Sequence, residues 1–297
     1  MKYNADNEID LYINTLLTVR GLSDNTKKSY KEDLEHLKSF ITSLNTDIYS
    51  LDKYHAELFI KHLMDSGLSK RSINRILSSC RGFYKSAYRD KKIPSNPFST
   101  IKNSHDYSKL PTFLSHEEAS SFISKCDDES DSFINIRNLS IITLLYSTGG
   151  RRAEIQSINI QDIDFYNSQI RIKGKGNKER LLYITKDAES ILKQYITERN
   201  KKILHTDALY INNRGNRLSL TSFNNIFAAF EKKSGINKHV TPHTMRHSAA
   251  TQLMNNGMDI RILQELLGHS SISTTGIYTH LSLHNLKNIY SDTHPHA

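Results

Sequence analysis

The sequence predicts a mainly α-helical protein of two domains, on three observations. The chain has 297 residues, enough for two hydrophobic cores of ordinary size. Its N-terminal third shows only helical periodicity, whereas the later part mixes helices with a pair of short strands. Between these parts, residues 93–113 contain three of the five prolines and no sustained period. We therefore predict an N-terminal domain over residues 1–98, a linker over residues 99–111 and a C-terminal domain over residues 112–297.

Four helices are predicted in the N-terminal domain, because apolar residues recur there at three- and four-residue spacing. Gly21 and Gly67 follow the first and the third helix, and capping residues precede the second. The four stretches are residues 7–21, 23–41, 53–67 and 69–92. The fourth carries eight basic residues and one acidic residue, Asp90. Taken alone, this charge run predicts either a solvated helix face or a helix that binds phosphates.

Composition narrows the class of protein and its partners. A net charge of +9 and a pI near 9.3 favour DNA or RNA as a partner, but a basic soluble enzyme has the same charge. No apolar run approaches the roughly 20 residues of a membrane span, and the N-terminus lacks the apolar region of a secretion signal. Cys80 and Cys126 lack the spacing of a zinc or redox motif. We therefore expect a cytoplasmic protein with reduced thiols and no membrane contact.

The C-terminal domain is predicted to be helix-rich around a small antiparallel sheet. Ser115 and Glu118 form the pattern of a capping box at the start of one helix, and residues 134–149 form an apolar helix. Residues 168–185 alternate as two strands around a glycine-rich turn, and residues 208–220 form a further extended piece. The remainder of the domain is predicted to be helical.

One helix of this domain carries a chemical signature. Thr241 is placed to cap it, Pro242 lies in its first turn and Gly257 follows its end. His243 and Arg246 share one face, so a phosphate can lie between the imidazole, the guanidinium and the helix N-terminus. A capped surface helix without any ligand has the same pattern.

Two further candidates, His269 and Tyr278, follow the next predicted helix. Asp259 caps that helix and Gly268 ends it, which places His269 at the helix exit. A histidine there either faces a site or is an ordinary loop residue. Tyr278 lies in a short helix or turn, and on its own it is either a packing residue or a nucleophile.

Basic residues of two upstream segments complete the candidates. Adjacent Arg151 and Arg152 open a helix after a glycine pair. A guanidinium keeps its proton and binds phosphate through paired N–H groups, so an arginine here suits a phosphoryl site. Lys175 lies in the glycine-rich turn between the strands, which is either an exposed loop or the support of a lysine that reaches a phosphate. The turn lacks the order of a nucleotide-binding P-loop, so ATP is not implied.

These segments, in this order, resemble the tyrosine recombinases, also called the phage integrase family, over essentially the whole chain. The family pattern is an arginine, a lysine in a β-hairpin, HxxR, a histidine or tryptophan, and a tyrosine. The matching residues are Arg151, Lys175, His243, Arg246, His269 and Tyr278. Arg151 is chosen because Glu154 follows in the family frame, but Gly150 and Arg152 stand where the family usually has apolar residues. Arg152 is therefore the alternative, and Gly276 replaces a commoner larger residue near the tyrosine.

The resemblance implies a mechanism. Tyr278 attacks a scissile phosphate of double-stranded DNA, forms a 3′-phosphotyrosyl link and releases a 5′-hydroxyl. His243 is the implied base, Arg151 and Arg246 hold the non-bridging oxygens, and Lys175 protonates the leaving oxygen. No metal ion, ATP or other cofactor is implied.

The resemblance also predicts domains and partners. It implies an N-terminal four-helix SAM-like core-binding domain, a catalytic domain, and His269 as a hydrogen-bond donor to the same phosphate. The two domains would close around the duplex, with the fourth helix in contact with DNA. The contacts are expected from Arg71, Arg75, Arg81 and Lys85. Four protomers are expected on two DNA sites, as a homo-tetramer or with a second recombinase, and the last helix, residues 282–297, would dock onto a neighbour.

Several readings of the function remain open at this stage. Chain length and the terminal segments look most like the Xer branch, which resolves chromosome dimers. An integrase of a phage, integron or transposon is an alternative, as is a DNA-binding relative that has lost catalysis. A metal-dependent nuclease is a third class, because His243 and His247 have zinc-ligand spacing, although the glutamate of that motif is absent.

Overall fold

The computed structural model describes residues 3–20, 24–104, 112–125, 132–173, 179–268, 290 and 293–294. The chain divides into two compact units, Met1–Ser108 and Lys109–Ala297, so their boundary falls inside the predicted linker. The described residues form eleven α-helices and one three-stranded antiparallel sheet, which confirms the predicted fold class. No helix among them is long and apolar enough to cross a membrane.

The described residues of the N-terminal unit form four helices, as predicted. They are α1 (Ala5–Arg20), α2 (Asp24–Ser43), α3 (Lys53–Asp65) and α4 (Lys70–Arg89). The apolar stripe of each helix supplies the core, in which Leu34, Phe59 and Tyr84 are fully buried. Tyr84 also satisfies its hydroxyl, which donates to the carbonyl of Ile48 at 2.7 Å. The helices therefore form because each one can bury its stripe against the others.

The first half of the predicted linker is held on α4. Arg81 donates to the carbonyls of Phe98 and Ile101 at 3.3 and 3.2 Å. Asn74 exchanges two hydrogen bonds with the backbone of Ser104, at 2.9 and 3.1 Å. These side chains replace the regular hydrogen bonds that an irregular backbone lacks. Residues 99–104 therefore belong to the N-terminal unit, whereas residues 105–111 lie outside the described residues.

The C-terminal unit is a helical domain with a small sheet. Its helices are α5 (His116–Ser124), α6 (Ser132–Thr148), α7 (Arg152–Ser157), α8 (Lys186–Arg199), α9 (Leu220–Ser234), α10 (Pro242–Asn255) and α11 (Ile260–Leu267). Its strands are β1 (Ile163–Asp164), β2 (Gln169–Lys173) and β3 (Glu179–Tyr183). β2 pairs with both neighbours, and Ile170 lies opposite Leu182 in the core. The extended piece predicted over residues 208–220 forms two isolated bridges, between Ala208 and Asn159 and between Ile211 and Arg217.

Helix α6 lies at the centre of this unit, because every residue from 140 to 150 is buried. Its apolar sequence therefore has no polar face, as expected for a helix surrounded by protein. Some of its polar side chains are paired within the core: the hydroxyls of Ser140 and Tyr210 are 3.0 Å apart. At its C-terminal end, Gly149 adopts φ +57°, and the side chain of Leu267 from α11 lies directly against it.

Gly149→Ala is expected to lower the free energy of unfolding by about 2–4 kcal/mol, since backbone strain and overpacking add. A Cβ atom at this position would lie 2.7 Å from Cδ2 of Leu267. Gly257→Ala is the matched control, because Gly257 has φ +92° but no atom within 4 Å of its Cβ position. It should cost only about 1–2 kcal/mol. Urea denaturation measures both values, and equal losses would contradict the proposed contact.

Candidate active site

Helix α11 ends in carbonyl groups that accept hydrogen bonds from arginines distant in the sequence. Arg246 on α10 donates through Nη2 to the carbonyl of Leu267 at 2.8 Å. Arg151, which precedes α7, donates through Nη2 to the carbonyl of Gly268 at 2.8 Å. The last carbonyls of a helix lack intrahelical partners and carry partial negative charge, which attracts guanidinium groups. The two arginines of the sequence pattern therefore converge on one helix end.

Local structure fixes Arg246 in this position. Thr241 caps α10, as predicted, by accepting a hydrogen bond from the N–H of Thr244 at 3.1 Å. Arg246 also donates through Nη1 to the carbonyl of Gly149, in the turn after α6, at 2.5 Å. Burial and then the neighbouring positive charges lower the pKa of Arg246 to about 10. The guanidinium is therefore still charged at neutral pH, and it lies in a partly desolvated site where its charge acts strongly.

A buried carboxylate orients Arg151. Glu154 accepts from the backbone N–H of Arg151 at 2.7 Å and from its Nη1 at 2.9 Å. Burial opposes the ionisation of Glu154, but the Arg151 backbone bond and the charge of Arg180 hold its pKa below the usual range. The side chain of Arg151 remains 41% exposed. It is thus held by protein contacts and still accessible to a ligand.

Arg180 is a member of this site that sequence reasoning missed. From β3 it donates through Nη2 to Glu154 at 2.8 Å and through Nη1 to the carbonyl of Leu266. The signal was the two-residue period of the strand, because Arg180 shares a sheet face with Leu182, which is buried. An arginine on the inward face of a strand is unusual, and it indicates a partner inside the protein.

Arg152 points to a different neighbour. Its Nη1 donates to the side-chain oxygen of Asn224 on α9, whereas Arg151 donates to the end of α11. This geometry supports Arg151 over Arg152 as the phosphate-binding arginine. His243 is exposed on the first turn of α10, one turn before Arg246. His247 lies edge-on to the ring of Phe113, with ring centroids 6.1 Å apart.

Three predicted site residues, Lys175, His269 and Tyr278, lie outside the described residues. The flanking elements are defined. β2 and β3 pair as far as Lys173 and Glu179, and residues 174–178, which include Lys175, lie between these two positions in the sequence. Asp259 caps α11 and Gly268 ends it in a left-handed conformation, as predicted, directly before His269.

The described residues near the end of the chain, Tyr290, Thr293 and His294, contact other residues of the C-terminal unit. Tyr290 is buried in a cluster with Tyr183 from β3 and Leu253 from α10, and its hydroxyl donates to the carbonyl of Ser147. The side-chain amide of Asn256 donates to the carbonyl of Thr293 at 2.7 Å. The described residues of this segment thus contact their own unit, and the docking of residues 282–297 onto a neighbour stays a prediction.

The four predicted DNA contacts on α4 differ in what they bind. Arg71 and Lys85 are exposed. Arg75 is half-exposed and forms an ion pair of 2.6 Å with the buried carboxylate of Asp33 on α2, whose pKa is raised by its burial. Arg81 is occupied by the backbone of residues 98–101 and by the side chain of Asn103. Arg75 and Arg81 are therefore held by protein partners, whereas Arg71 and Lys85 are exposed.

Comparison with known proteins gives consistent matches. Residues 112–284 match the phage integrase family, and residues 9–91 match the phage integrase N-terminal SAM-like domain. The chain is 35% identical over 295 residues to tyrosine recombinase XerD of Listeria monocytogenes, covering 97% of this chain and 99% of the relative. It is 34% identical to tyrosine recombinase XerC of Treponema denticola, covering 98% of this chain and 100% of the relative.

Solved structures share the fold. The crystal structure of XerA recombinase is 27% identical, with a TM-score of 0.51 and coverage of 99% of this chain and 100% of that one. The structure of XerH bound to a palindromic difH substrate is 24% identical, with a TM-score of 0.74 and coverage of 97% and 84%. The chain belongs to the phage integrase family, the tyrosine recombinases. This membership confirms the predicted resemblance, and with it the reaction class, which is the breakage and rejoining of DNA strands by a site-specific recombinase.

Proposed function

We propose that this chain recombines double-stranded DNA through a 3′-phosphotyrosyl intermediate on Tyr278 and that its cellular role is the resolution of chromosome dimers. The observation that carries the chemical part is the convergence of Arg151 and Arg246 on the C-terminal end of α11. The cellular role rests on the similarity to proteins named XerD and XerC over nearly their full length. An integrase of a mobile element has the same chemistry and differs in the DNA that it joins.

The reaction exchanges one phosphodiester for another. The phenol oxygen of Tyr278 forms a bond to phosphorus, the bond from phosphorus to the 5′-oxygen breaks, and the protein becomes linked to the 3′-phosphate. Tyrosine has a reference pKa of about 10, so the attacking group needs a base, and His243 accepts the proton. Lys175 supplies a proton to the departing 5′-oxygen. Attack by the 5′-hydroxyl of another strand reverses these steps, so the bond energy is conserved and ATP is not consumed.

The arginines stabilise the charge that develops during attack. A guanidinium has five N–H groups, so the hydrogen bonds to Glu154 and Gly268 leave Arg151 with N–H groups for a phosphate. Arg246 is placed beside it through the carbonyls of Gly149 and Leu267. Donors that are held before the substrate binds need no reorganisation when negative charge grows on the non-bridging oxygens. His269, directly after Gly268, completes the set as a further donor.

A covalent-trapping experiment tests this mechanism. In a nicked duplex, the short fragment that carries the released 5′-hydroxyl diffuses away after cleavage. The reverse reaction is then prevented, so the phosphotyrosyl link accumulates. We expect a denaturation-resistant adduct that forms without ATP and in the presence of EDTA, with the DNA on the peptide that contains Tyr278. Cleavage that leaves no adduct and is abolished by EDTA would instead support the nuclease that uses His243 and His247. Sequencing the trapped cellular DNA distinguishes the roles: one chromosomal site supports dimer resolution, whereas the ends of a mobile element support an integrase.

The N-terminal unit is proposed to bind the phosphate backbone through α4. Replacing both Arg71 and Lys85 by alanine should weaken duplex binding and reduce the slope of log Kd against log salt by about 2, roughly one unit for each phosphate contact. Fluorescence anisotropy across a salt series measures the slope. Lys53→Ala is the control, because Lys53 is an exposed lysine of α3. An unchanged slope in the double variant would move the DNA contacts of this unit away from these two residues.

The assembly is also a proposal. Four protomers on two DNA sites, identical or shared with a second recombinase, would bring together the two cut strands that strand exchange requires. Analytical ultracentrifugation of the chain on its duplex site, with and without a second site, measures the number of protomers. A complex that stays at one protomer per duplex under cleaving conditions would exclude the tetramer.

A further inference from the structure

We propose that Arg180 is a positioning residue for the cleavage reaction. Arg180 shares the carboxylate of Glu154 with Arg151 and so sets the net charge at the scissile phosphate. The proposal rests on the proposed function, in which Arg151 and Arg246 bind that phosphate. The one carboxylate joins two guanidinium groups: Arg151 binds Oε1 at 2.9 Å, and Arg180 binds Oε2 at 2.8 Å. The side chain of Glu154 is only 8% exposed and that of Arg180 is 15% exposed.

The charge balance is the physical reason. The cluster of Arg151, Arg180, Arg246 and Glu154 carries three positive charges and one negative charge, which leaves a net charge of +2. A phosphodiester has one negative charge, and attack by a deprotonated phenol adds a second. Without Arg180, Glu154 would neutralise Arg151 alone and the cluster would have a net charge of only +1. Interactions between charges are strong in a partly desolvated site, so this difference affects the transition state more than the bound substrate.

Arg180 also links two parts of the site. It extends from β3, which follows the turn of Lys175, to the carbonyl of Leu266 near the end of α11. The Arg180 side chain passes close to Gly268, where a residue with a Cβ atom would crowd it: that atom would lie 3.0 Å from both Cδ and Nε of Arg180. The strand after one catalytic residue is thereby attached to the helix that ends directly before another, His269.

A purely structural purpose accounts poorly for this arginine. Its Nε is buried and has no hydrogen-bond partner among the residues that the structure describes. An unsatisfied buried N–H costs about 1–3 kcal/mol, and apolar residues often replace buried ion pairs without loss of stability. The position thus retains a guanidinium at a cost in folding, as expected if its charge is needed for the reaction.

A charge-compensation experiment tests the proposal. Arg180→Met is expected to slow adduct formation on nicked DNA by about 10- to 100-fold, with duplex affinity within about twofold of the unchanged protein. The double variant Glu154→Gln with Arg180→Met restores the net charge of +2 and should recover at least about tenfold of that loss. A role confined to holding Leu266 predicts no recovery, because the double variant still lacks that contact. An inactive but folded double variant would overturn the proposal.

An uncharged substrate gives a second readout. When a methylphosphonate replaces the scissile phosphate, the transition state has one negative charge fewer. The defect of Arg180→Met should then shrink to within about threefold, since the remaining net charge of +1 matches the smaller demand. A defect of equal size on both substrates would refute the charge argument. Circular dichroism checks folding, and Arg180→Lys provides a variant that keeps the charge.

The outcomes separate this proposal from the proposed function. Arg180→Lys keeps the charge but loses the paired hydrogen bonds, and it should retain adduct formation within about tenfold. If Arg180→Met does not fold, a folded Arg180→Lys variant that forms no adduct overturns the role of charge. If Arg151→Ala cleaves normally, the assignment of the phosphate site is wrong. If Arg151→Ala fails but Arg180→Met matches the unchanged protein, only the role of Arg180 is wrong.

Discussion

Tyr278→Phe is expected to abolish the covalent protein–DNA adduct completely while the affinity for duplex DNA stays the same. The substitution removes one oxygen atom, the proposed nucleophile, and keeps the aromatic ring. Denaturing electrophoresis of the protein on labelled nicked DNA measures the adduct, and anisotropy measures binding. This loss of adduct is the largest effect expected of any substitution considered, because the phenylalanine ring has no oxygen to form the bond to phosphorus.

The matched control for this experiment is Tyr166→Phe. Tyr166 lies in the turn between β1 and β2 and is 94% exposed, so its hydroxyl is free of any packing constraint. It should form the adduct at the normal rate. An adduct that survives in Tyr278→Phe would place the nucleophile on another of the fifteen tyrosines. Loss of DNA binding in Tyr278→Phe would instead show that the ring is needed for the complex.

Arg151→Ala is expected to slow adduct formation by about 10²- to 10³-fold, the usual cost of removing one donor that stabilises a developing oxyanion. The side chain has protein contacts that hold it, through Glu154 and the carbonyl of Gly268, and it remains accessible to a phosphate. Single-turnover kinetics with excess protein measures the rate independently of affinity. Thermal unfolding of the variant checks that the loss of the Glu154 contact has not unfolded the site.

Arg152→Ala is the control at the adjacent position, and it tests whether Arg151 or Arg152 is the catalytic arginine. Its side chain donates to Asn224, whereas the carbonyls at the end of α11 accept from Arg180, Arg246 and Arg151. We expect its cleavage rate to stay within about threefold of the unchanged protein, the scale of a change at a surface residue. If instead Arg152→Ala shows the large defect and Arg151→Ala does not, the catalytic arginine is one position later and the role of Glu154 must be revised.

The arrangement of the arginines has a consequence for substrate binding. Three consecutive carbonyls, those of Leu266, Leu267 and Gly268, each accept from a different arginine. These contacts hold the guanidinium groups at one helix end before DNA is present, so little ordering entropy is lost when the phosphate enters. The same helix end leads directly to His269. In the proposed mechanism, the arginines that bind the phosphate are therefore organised by one structural element.

Much of the local structure could be predicted from periodicity and caps. The Ser115–Glu118 capping box, the Thr241 cap of α10 and the helix between Asp259 and Gly268 are all confirmed. β1 was missed, because two residues are too few to show an alternating pattern. The boundary between the two compact units falls inside the predicted linker. The attachment of residues 99–104 to α4 could not be predicted, because the side chains that hold them leave no periodic signal in the sequence.

The sequence by itself determined the order of the helices, the hairpin, and the candidate residues of a phosphate site, because each depends on spacing within a short segment or on a motif. Tertiary structure alone decided which of the forty lysines and arginines share hydrogen bonds with partners that are distant in the sequence. Arg180 and Glu154 are 26 positions apart, and Arg151 and Gly268 are 117 positions apart, yet each pair shares a hydrogen bond. Contacts of that kind depend on how helices and strands pack. A buried charged group is costly unless it is paired, and the fold determines which partner lies within hydrogen-bond distance.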